Sequence, residues 1–150
     1  MTGYYDVLTK INTLLSADPF VNTVTEGDIF EVDLLKQTIF PLSHVMVNSG
    51  TVSSRVVQFN ISIIFADIVD KTADITSDNF RGNDNEQDVK NTQLAVALRF
   101  LAQLERGEDT KSYQLTGNPS LEPFTERFEN YLAGWVLTFD VDVPNTMTKC

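Results

Sequence analysis

Two segments of the chain carry apolar residues at the three- and four-residue spacing of a helix. The first covers residues 5–17 and ends at Asp18-Pro19, because the residue before a proline is driven out of the helical region. The second opens at residue 84 or 85 and runs to about Arg106, a length of roughly 30 Å. Its apolar stripe consists of Val89, Val96, Phe100 and Leu104, widened by Leu94, Ala97, Leu98 and Leu101.

Alternation of apolar and polar residues predicts two long strands, residues 56–69 and 134–144. Their apolar faces comprise Val57, Phe59, Ile61, Ile63 and Phe65 in the first strand and Trp135, Leu137, Phe139, Val141 and Val143 in the second. Their polar faces comprise Gln58, Asn60 and Ser62 in the first and Thr138, Asp140 and Asp142 in the second. Shorter strands are expected at 20–25, 44–47 and 113–115, with turns at 26–28, 48–50 and 117–119. Residues 121–132 fit a bent extended segment or a helix.

The order helix, strands, helix, strands predicts a single α+β domain over residues 1–150. We expect an antiparallel or mixed sheet flanked by two main helices, both on one face. The other sheet face must then be polar or covered by another subunit. Residues 71–85 are expected to form a polar loop and residues 145–150 a polar C-terminal tail.

Charge and composition narrow the possible functions. The chain of 150 residues has 21 acidic and 11 basic residues, a formal net charge of -10 at pH 7. Proteins that grip nucleic acid by neutralising phosphates need clustered Lys and Arg, so this balance argues against that class. A single His and a single Cys leave little for metal or nucleophile chemistry and allow no intrachain disulfide. No secretory signal or membrane span is evident, so we expect a soluble protein made in a reducing cytoplasm.

Few residues are candidates for chemistry. Asp140 and Asp142 leave the same strand face, where they could bind a divalent cation or act as an acid and base pair. Without a third carboxylate or a His nearby in sequence, solvated aspartates are the favoured interpretation. His44 has no second His to work with, which favours a structural role. We therefore predict no catalytic, cofactor-binding or metal-binding residues.

Isolated charges on an acidic chain are better suited to contacts between copies than to nucleic acid. The candidates for such inter-subunit contacts are Asp74, Asp78, Arg81, Arg99, Arg106 and Arg127.

Several segments, taken in order, resemble one family. They are DIFEVDL (28–34), IFPLSHV (39–45), FNISIIFADIVD (59–70), NEQDV (85–89), PFTERFENYLAGW (123–135) and FDVDVPN (139–145). This order resembles the small neck or tail-completion proteins of tailed bacteriophages, of the tail-terminator type, and most closely those of Bacteroidetes phages, including the crAss-like phages. The resemblance covers nearly the whole chain, and none of its motifs is a catalytic signature.

The resemblance implies a structural virion protein, made in the host bacterial cytoplasm, that forms a closed ring of six or twelve copies. Such a ring lies at the head–tail junction or along the tail tube, joins connector, tail and portal-adaptor proteins, and lets genomic DNA pass through its centre. The runner-up is a small acidic non-viral α+β domain that binds a protein or ligand. A hydrolase using Asp140, Asp142 and His44 is the least supported class.

A negative channel wall would keep DNA phosphates from sticking as DNA moves. If the two long strands pair, their polar faces lie side by side and would suit that wall. The expected channel-facing residues are Gln58, Asn60, Ser62, Asp140 and Asp142.

Overall fold

The computed structural model describes residues 3–27, 40–68, 86–106, 114–125 and 132–144. In chain order the elements are α1 (Gly3–Ser16), β1 (Thr23–Glu26), β2 (Leu42–Val52), β3 (Val56–Ile68), α2 (Glu86–Arg106), β4 (Gln114–Thr125) and β5 (Leu132–Pro144). The strands form one sheet in the order β1-β2-β3-β5-β4, in which β1 is parallel to β2 and the other neighbours are antiparallel. This is the predicted α+β domain with a mixed sheet. Within these ranges, no helix is both long enough and apolar enough to span a membrane.

Both helices pack against the same face of the sheet, as predicted. α1 buries Val7, Ile11 and Leu15 on that face, and α2 buries Val96, Ala97, Phe100 and Leu104. The alternate strand residues beneath them are Val45, Ile61, Ile63, Phe65, Leu137, Phe139, Val141 and Val143. Phe100 sits between two sheet rings, with centroids 6.5 Å from Phe65 and 5.8 Å from Phe139. The main core therefore lies between the helices and the two central strands.

The opposite sheet face is divided into two ends. One end is an apolar cluster of Phe40, Leu42, Ile64, Ala66, Phe124 and Leu132. The other end, toward the β2–β3 turn, carries the polar residues of β3 and β5. Side chains alternate between the two faces of a strand, so the residues of both ends alternate along the sequence with residues of the main core.

The predicted turns at 48–50 and 117–119 are wrong. Both segments lie inside longer strands, where the pairing register shifts between Val47 and Ser49 and between Thr116 and Ser120. At these shifts β2 has one extra residue and β4 has two, and both strands accommodate them as a bulge because the partner strand continues on both sides. β2 instead turns at 53–55, where the Val56 carbonyl accepts hydrogen bonds from the amide and hydroxyl of Ser53.

The other predicted boundaries shift by smaller amounts. The first strand is Thr23–Glu26 instead of the predicted 20–25, and 121–125 belong to β4. The predicted loop 71–85, the tail 145–150 and residues 126–131 lie outside the described residues.

One position of the predicted apolar stripe on α2 is wrong. Leu98 is 50% exposed, whereas Gln93 is 1% exposed and lies on the buried side. Neither the amide oxygen nor the amide nitrogen of Gln93 has a hydrogen-bond partner among the described residues. Burying an unpaired amide lowers the stability of the fold, so the apolar neighbours of Gln93 on α2, and not Gln93 itself, stabilise the packing of this helix.

Gly134 allows β5 to approach β3 closely. A Cβ at this position would lie 1.8 Å from the Phe65 carbonyl oxygen. Since that oxygen belongs to the backbone of the neighbouring strand, it cannot move aside without breaking the pairing.

Replacing Gly134 with Ala is therefore expected to lower the free energy of unfolding by about 3 kcal/mol or more. Urea denaturation monitored by circular dichroism measures the change. Gly50→Ala is the matched control, because its Cβ would meet the Phe59 ring at an ordinary 3.6 Å. Equal stability of the two variants would contradict the close approach at Gly134.

Candidate functional site

Eight polar side chains lie together on the sheet face opposite the helices, at the end toward the β2–β3 turn. We call this set the polar ladder. Its members are Asn48, Gln58, Asn60, Ser62, Thr116, Thr138, Asp140 and Asp142. They come from the four adjacent strands β2, β3, β5 and β4. In the pairing of β3 with β5, Asn60 lies opposite Asp140 and Ser62 opposite Thr138.

Hydrogen bonds link the ladder across three strands. Asn48 Nδ2 donates to Asn60 Oδ1 at 2.8 Å and to Ser62 Oγ at 2.7 Å. Asn60 Nδ2 donates to Asp140 Oδ1 at 2.8 Å, and the hydroxyls of Ser62 and Thr138 lie 3.0 Å apart. The amide donors of Asn48 are thus used inside the protein, and the ladder has a fixed arrangement.

The fourth strand joins through a separate bond. Gln58 Nε2 donates to Thr116 Oγ1 at 3.2 Å, although Gln58 lies opposite Asp142 in the register. Asp142 Oδ1 is buried and accepts no hydrogen bond from the described residues. The two carboxylates of the ladder therefore differ, since Asp140 is bonded and this oxygen of Asp142 is not.

All six residues predicted for the polar faces of the two long strands lie on one face of the sheet. The residue pattern did not identify Asn48, because Asn-Ser-Gly is also a turn signal, or Thr116, which precedes a Gly-Asn-Pro turn signal. Both residues lie at a strand bulge. The only sign in the sequence that β2 and β4 continue through these positions was the length of the strands that pair with them.

The described cations are absent from the strands, whereas acidic residues lie on both strands and helices. The five described strands contain no Lys or Arg, and their charged residues are Glu26, Asp67, Glu122, Asp140 and Asp142. The cations among the described residues lie on the helices and at the β2–β3 turn: Lys10, Arg55, Lys90, Arg99 and Arg106. The polar ladder therefore has carboxylates and no basic side chain of its own.

His44 is held as a structural residue. It is fully buried, its Nε2 lies 2.8 Å from the Gly27 carbonyl oxygen, and its Nδ1 lies 2.6 Å from Thr25 Oγ1. Because a carbonyl can only accept, Nε2 carries a proton, and in the neutral ring Nδ1 accepts from the Thr25 hydroxyl. The ring thereby fastens β1 to β2, as the structural interpretation predicted.

Among the described residues, His44 does not lie beside the ladder aspartates. His44 pairs with Ile64 and Asp140 with Asn60, on opposite sides of β3, and the two β3 residues are four positions apart, an offset of about 13 Å along the strand. Within the described part of the chain, no group of three His, Cys, Asp or Glu residues is placed to hold a metal ion.

Arg99 makes an ion pair within its own chain. Its Nε and Nη2 donate to the two carboxylate oxygens of Asp18 at 2.9 and 3.0 Å, and its guanidinium carbon lies 5.4 Å from the centre of the Phe20 ring. Arg106 is exposed at the end of α2. The prediction that Arg99 and Arg106 contact another copy stays a prediction. Asp74, Asp78, Arg81 and Arg127, the other predicted contacts, lie outside the described residues.

The two edges of the sheet differ. β1 pairs only with Leu42–Val45, so from residue 46 to 52 the outer edge of β2 has no strand neighbour among the described residues. Residues 48–52 are exposed and include no proline and no charge. The β4 edge, in contrast, carries a bulge, two prolines and Glu122, features that discourage pairing with another strand.

A cavity of about 390 Å³ lies between α1 and the β1–β2 pair. Tyr4, Leu8, Val24 and Glu26 are among its lining residues. The Tyr4 ring also packs edge-on against Phe59, with ring centres 5.6 Å apart. This cavity is large enough for a small ligand or a side chain of a partner.

The difference between the two ladder carboxylates gives a direct test. Asp140→Ala would leave Asn60 Nδ2 without its acceptor, so we expect a loss of about 1–2 kcal/mol in the free energy of unfolding. Asp142→Ala, two residues along the same face, removes an unbonded buried oxygen and should cost less. Urea denaturation of both variants at pH 7 makes the comparison, and a larger loss for Asp142→Ala would show that the assigned bonding is wrong.

The Asp18–Arg99 pair predicts a pH dependence. Burial alone would raise the pKa of Asp18, but hydrogen bonds from Arg99 and the Phe20 amide, together with the Arg99 charge, hold this pKa below its usual value of 3.8. The stabilisation is therefore complete above pH 3.8 and is lost as pH falls through the lower, folded-state pKa.

Asp18→Asn should accordingly cost about 1 kcal/mol at neutral pH, because Arg99 is partly exposed, and progressively less below the ordinary Asp pKa. Unfolding free energies measured from neutral to acidic pH reveal the trend. In an Arg99→Met background, the effect of Asp18→Asn on the free energy of unfolding should depend less on pH. An unchanged pH dependence in that background would assign it to another group.

In comparisons with known proteins, no protein-family model and no curated protein sequence matches this chain.

Proposed function

We propose that the chain is a structural subunit of a ring at the neck or tail tube of a tailed bacteriophage, through which genomic DNA passes. The observation that carries the proposal is the polar ladder, a hydrogen-bonded face with two carboxylates on a sheet whose described strands contain no Lys or Arg. The resemblance of the sequence to tail-terminator-type proteins supports the same reading. Under this proposal Gln58, Asn60, Ser62, Asp140 and Asp142 face the channel.

The ladder has the chemistry of a surface that DNA can pass without binding. Its carboxylates repel phosphates, and the described strands carry no Lys or Arg to attract them. Asn48 donates both its amide hydrogens within the protein, and Asn60 and Gln58 each use one. Few donors are therefore left for phosphate oxygens.

Closure of a ring from identical subunits needs two different contact surfaces on each copy. The unequal sheet edges fit that requirement, since the unprotected β2 edge invites strand pairing and the β4 edge discourages it. The ring would contain six or twelve copies and join connector, tail and portal-adaptor proteins of the virion. The protein would be made in the host bacterial cytoplasm and act during tail assembly and DNA ejection, with no enzymatic activity.

Electron microscopy and mass spectrometry of particles from an infected bacterial host test the placement. The chain should be present in the neck or tail, in a ring with Asp140 and Asp142 lining the channel. Absence of the chain from the particles, or a ring with these residues on its outer wall, would overturn the proposal.

A charge reversal tests the proposed role of the wall. Asp142→Lys should leave particle assembly intact but slow DNA ejection and make it more sensitive to salt, because a lysine in the channel attracts phosphates. Asp88→Lys makes the same charge change on the exposed start of α2 and should eject DNA normally. Equal ejection by the two variants in assembled particles would contradict a channel-facing ladder.

The runner-up, an acidic non-viral binding domain, is favoured by one observation, the cavity lined by Tyr4 and Glu26. The oligomeric state, measured by static light scattering coupled to size exclusion, tests the runner-up. A chain that remains monomeric with all virion partners present, and that binds a ligand in this cavity, would replace the ring proposal with the runner-up.

A further inference from the structure

The turn between β2 and β3 presents an arginine and an apolar side chain together to solvent. Residues 53–55 make this turn, which is closed by the hydrogen bond from the Ser53 amide to the Val56 carbonyl. Arg55 is exposed, and Val52 just before the turn is 72% exposed, the largest fraction among the exposed large hydrophobic residues of the described chain. We call residues 52–55 the hairpin tip.

The cavity between α1 and the β1–β2 pair has the complementary character. Glu26 is the one charged residue among the described residues that line it, and Tyr4 and Tyr5 line it from α1. The two rings lie edge to face with their centres 5.9 Å apart, and both are exposed. Leu8 and Val24 add aliphatic surface. The cavity thus offers a carboxylate, two aromatic rings and apolar carbons, with no basic group in its described lining.

An ion pair elsewhere in the chain shows what such a set of groups binds. The Arg99 guanidinium donates to both carboxylate oxygens of Asp18 and lies 5.4 Å from the centre of the Phe20 ring. A cation is stabilised both by the carboxylate and by the face of the ring. The cavity contains the same carboxylate and aromatic groups without the guanidinium. The group that suits it is therefore a cation on an aliphatic stem, such as an arginine side chain.

Arg55 cannot reach Glu26 of its own chain. Glu26 lies opposite Val45, and the hairpin tip begins at Val52, seven residues and about 23 Å further along β2. Neither Val52 nor Arg55 lines the cavity of its own chain. Two copies with a net charge of -10 each repel one another, so a contact between them gains by placing a cation against a carboxylate. The hairpin tip and the cavity meet that condition only across two copies.

We propose that the hairpin tip of one copy inserts into the cavity of a second copy. Arg55 pairs there with Glu26 beside the two tyrosines, and Val52 packs on the aliphatic lining. Because the two surfaces are different, the contact is heterologous and can repeat from copy to copy. The proposal rests on the proposed function in one respect, since it names the two unlike surfaces that a ring of identical subunits needs. It involves neither the polar ladder nor DNA.

The test uses the full chain and depends on the two surfaces being different. Sedimentation equilibrium at concentrations up to about 1 mM should show self-association of the unchanged chain. Glu26→Arg and Arg55→Glu should each weaken it about three- to tenfold, because the surface ion pair becomes a repulsion. An equimolar mixture of the two variants should associate like the unchanged chain, since every contact between unlike copies again joins a cation to a carboxylate.

Glu122→Arg is the matched control for Glu26→Arg. Glu122 is exposed on β4 and does not line the cavity. Both variants lower the net negative charge by the same amount, so the general repulsion between copies falls equally in both. Glu122→Arg should therefore associate at least as well as the unchanged chain, whereas Glu26→Arg should associate less. Equal behaviour of the two variants would contradict the proposed contact.

A cross-link locates the contact. Chains with Arg55→Cys and chains with Glu26→Cys, both in a Cys150→Ser background that removes the single native cysteine, are mixed at about 1 mM and treated with a short bis-maleimide. Mass spectrometry should detect a covalent dimer that contains one chain of each kind. Arg55→Cys chains mixed with Glu122→Cys chains should give no such dimer.

Absence of the mixed cross-link, or failure of the mixed charge variants to regain association, would overturn the proposal. Cross-linking in purified particles separates it from the ring proposal. A channel-lining ring in which the two positions do not cross-link would contradict the docking contact alone. A cross-link between isolated chains, with the chain absent from the particles, would contradict the ring placement alone.

Discussion

The pairing of β3 with β5 is the constraint on which the rest of the structure depends. Thirteen consecutive residue pairs run from Val56 opposite Pro144 to Ile68 opposite Leu132 without a register shift. Because side chains alternate, a slip of one residue would move the core residues to the ladder side and the ladder residues under the helices. The close contact of Gly134 with the Phe65 backbone helps to fix this register. The helical core and the polar ladder are thus two consequences of one pairing.

The long central strands and both helices could be predicted from sequence because each has a strong period. In Val56–Ile68, apolar and polar residues alternate through Ser62, and that alternation alone assigned the two faces. The turn signals failed because Asn-Ser-Gly and Gly-Asn-Pro describe local backbone preferences, whereas the pairing of β2 with β3 and of β4 with β5 is a long-range effect. The parallel pairing of β1 had no local signature either. It depends on contacts such as Thr25 with His44, nineteen positions apart.

The candidate site was predictable as a face but not as a network. Gln58, Asn60, Ser62, Asp140 and Asp142 follow from alternation, yet only the register decides that Asn60 meets Asp140 while Asp142 keeps an unbonded oxygen. The same limit applies to α2, where helical spacing alone did not show that Leu98 would be exposed and Gln93 buried. Leu98 is exposed and Gln93 is buried, and the side of α2 that faces the sheet is set by the tertiary fold.

The aspartates of the described strands have no Lys or Arg opposite them on a neighbouring strand. Asp140 and Asp142 lie two positions apart on one face, where they repel each other, and a Lys or Arg at a neighbouring position such as Thr116, directly opposite Asp140, could form a cross-strand ion pair. Such pairs contribute about 0.2–1 kcal/mol each, and the strands contain none of them. The cations of the described chain are placed instead on the helices and at the β2–β3 turn, where Arg99 does form a pair with Asp18. Within the described strands, hydrogen bonds such as that from Asn60 Nδ2 to Asp140 Oδ1 therefore take the place of cross-strand ion pairs.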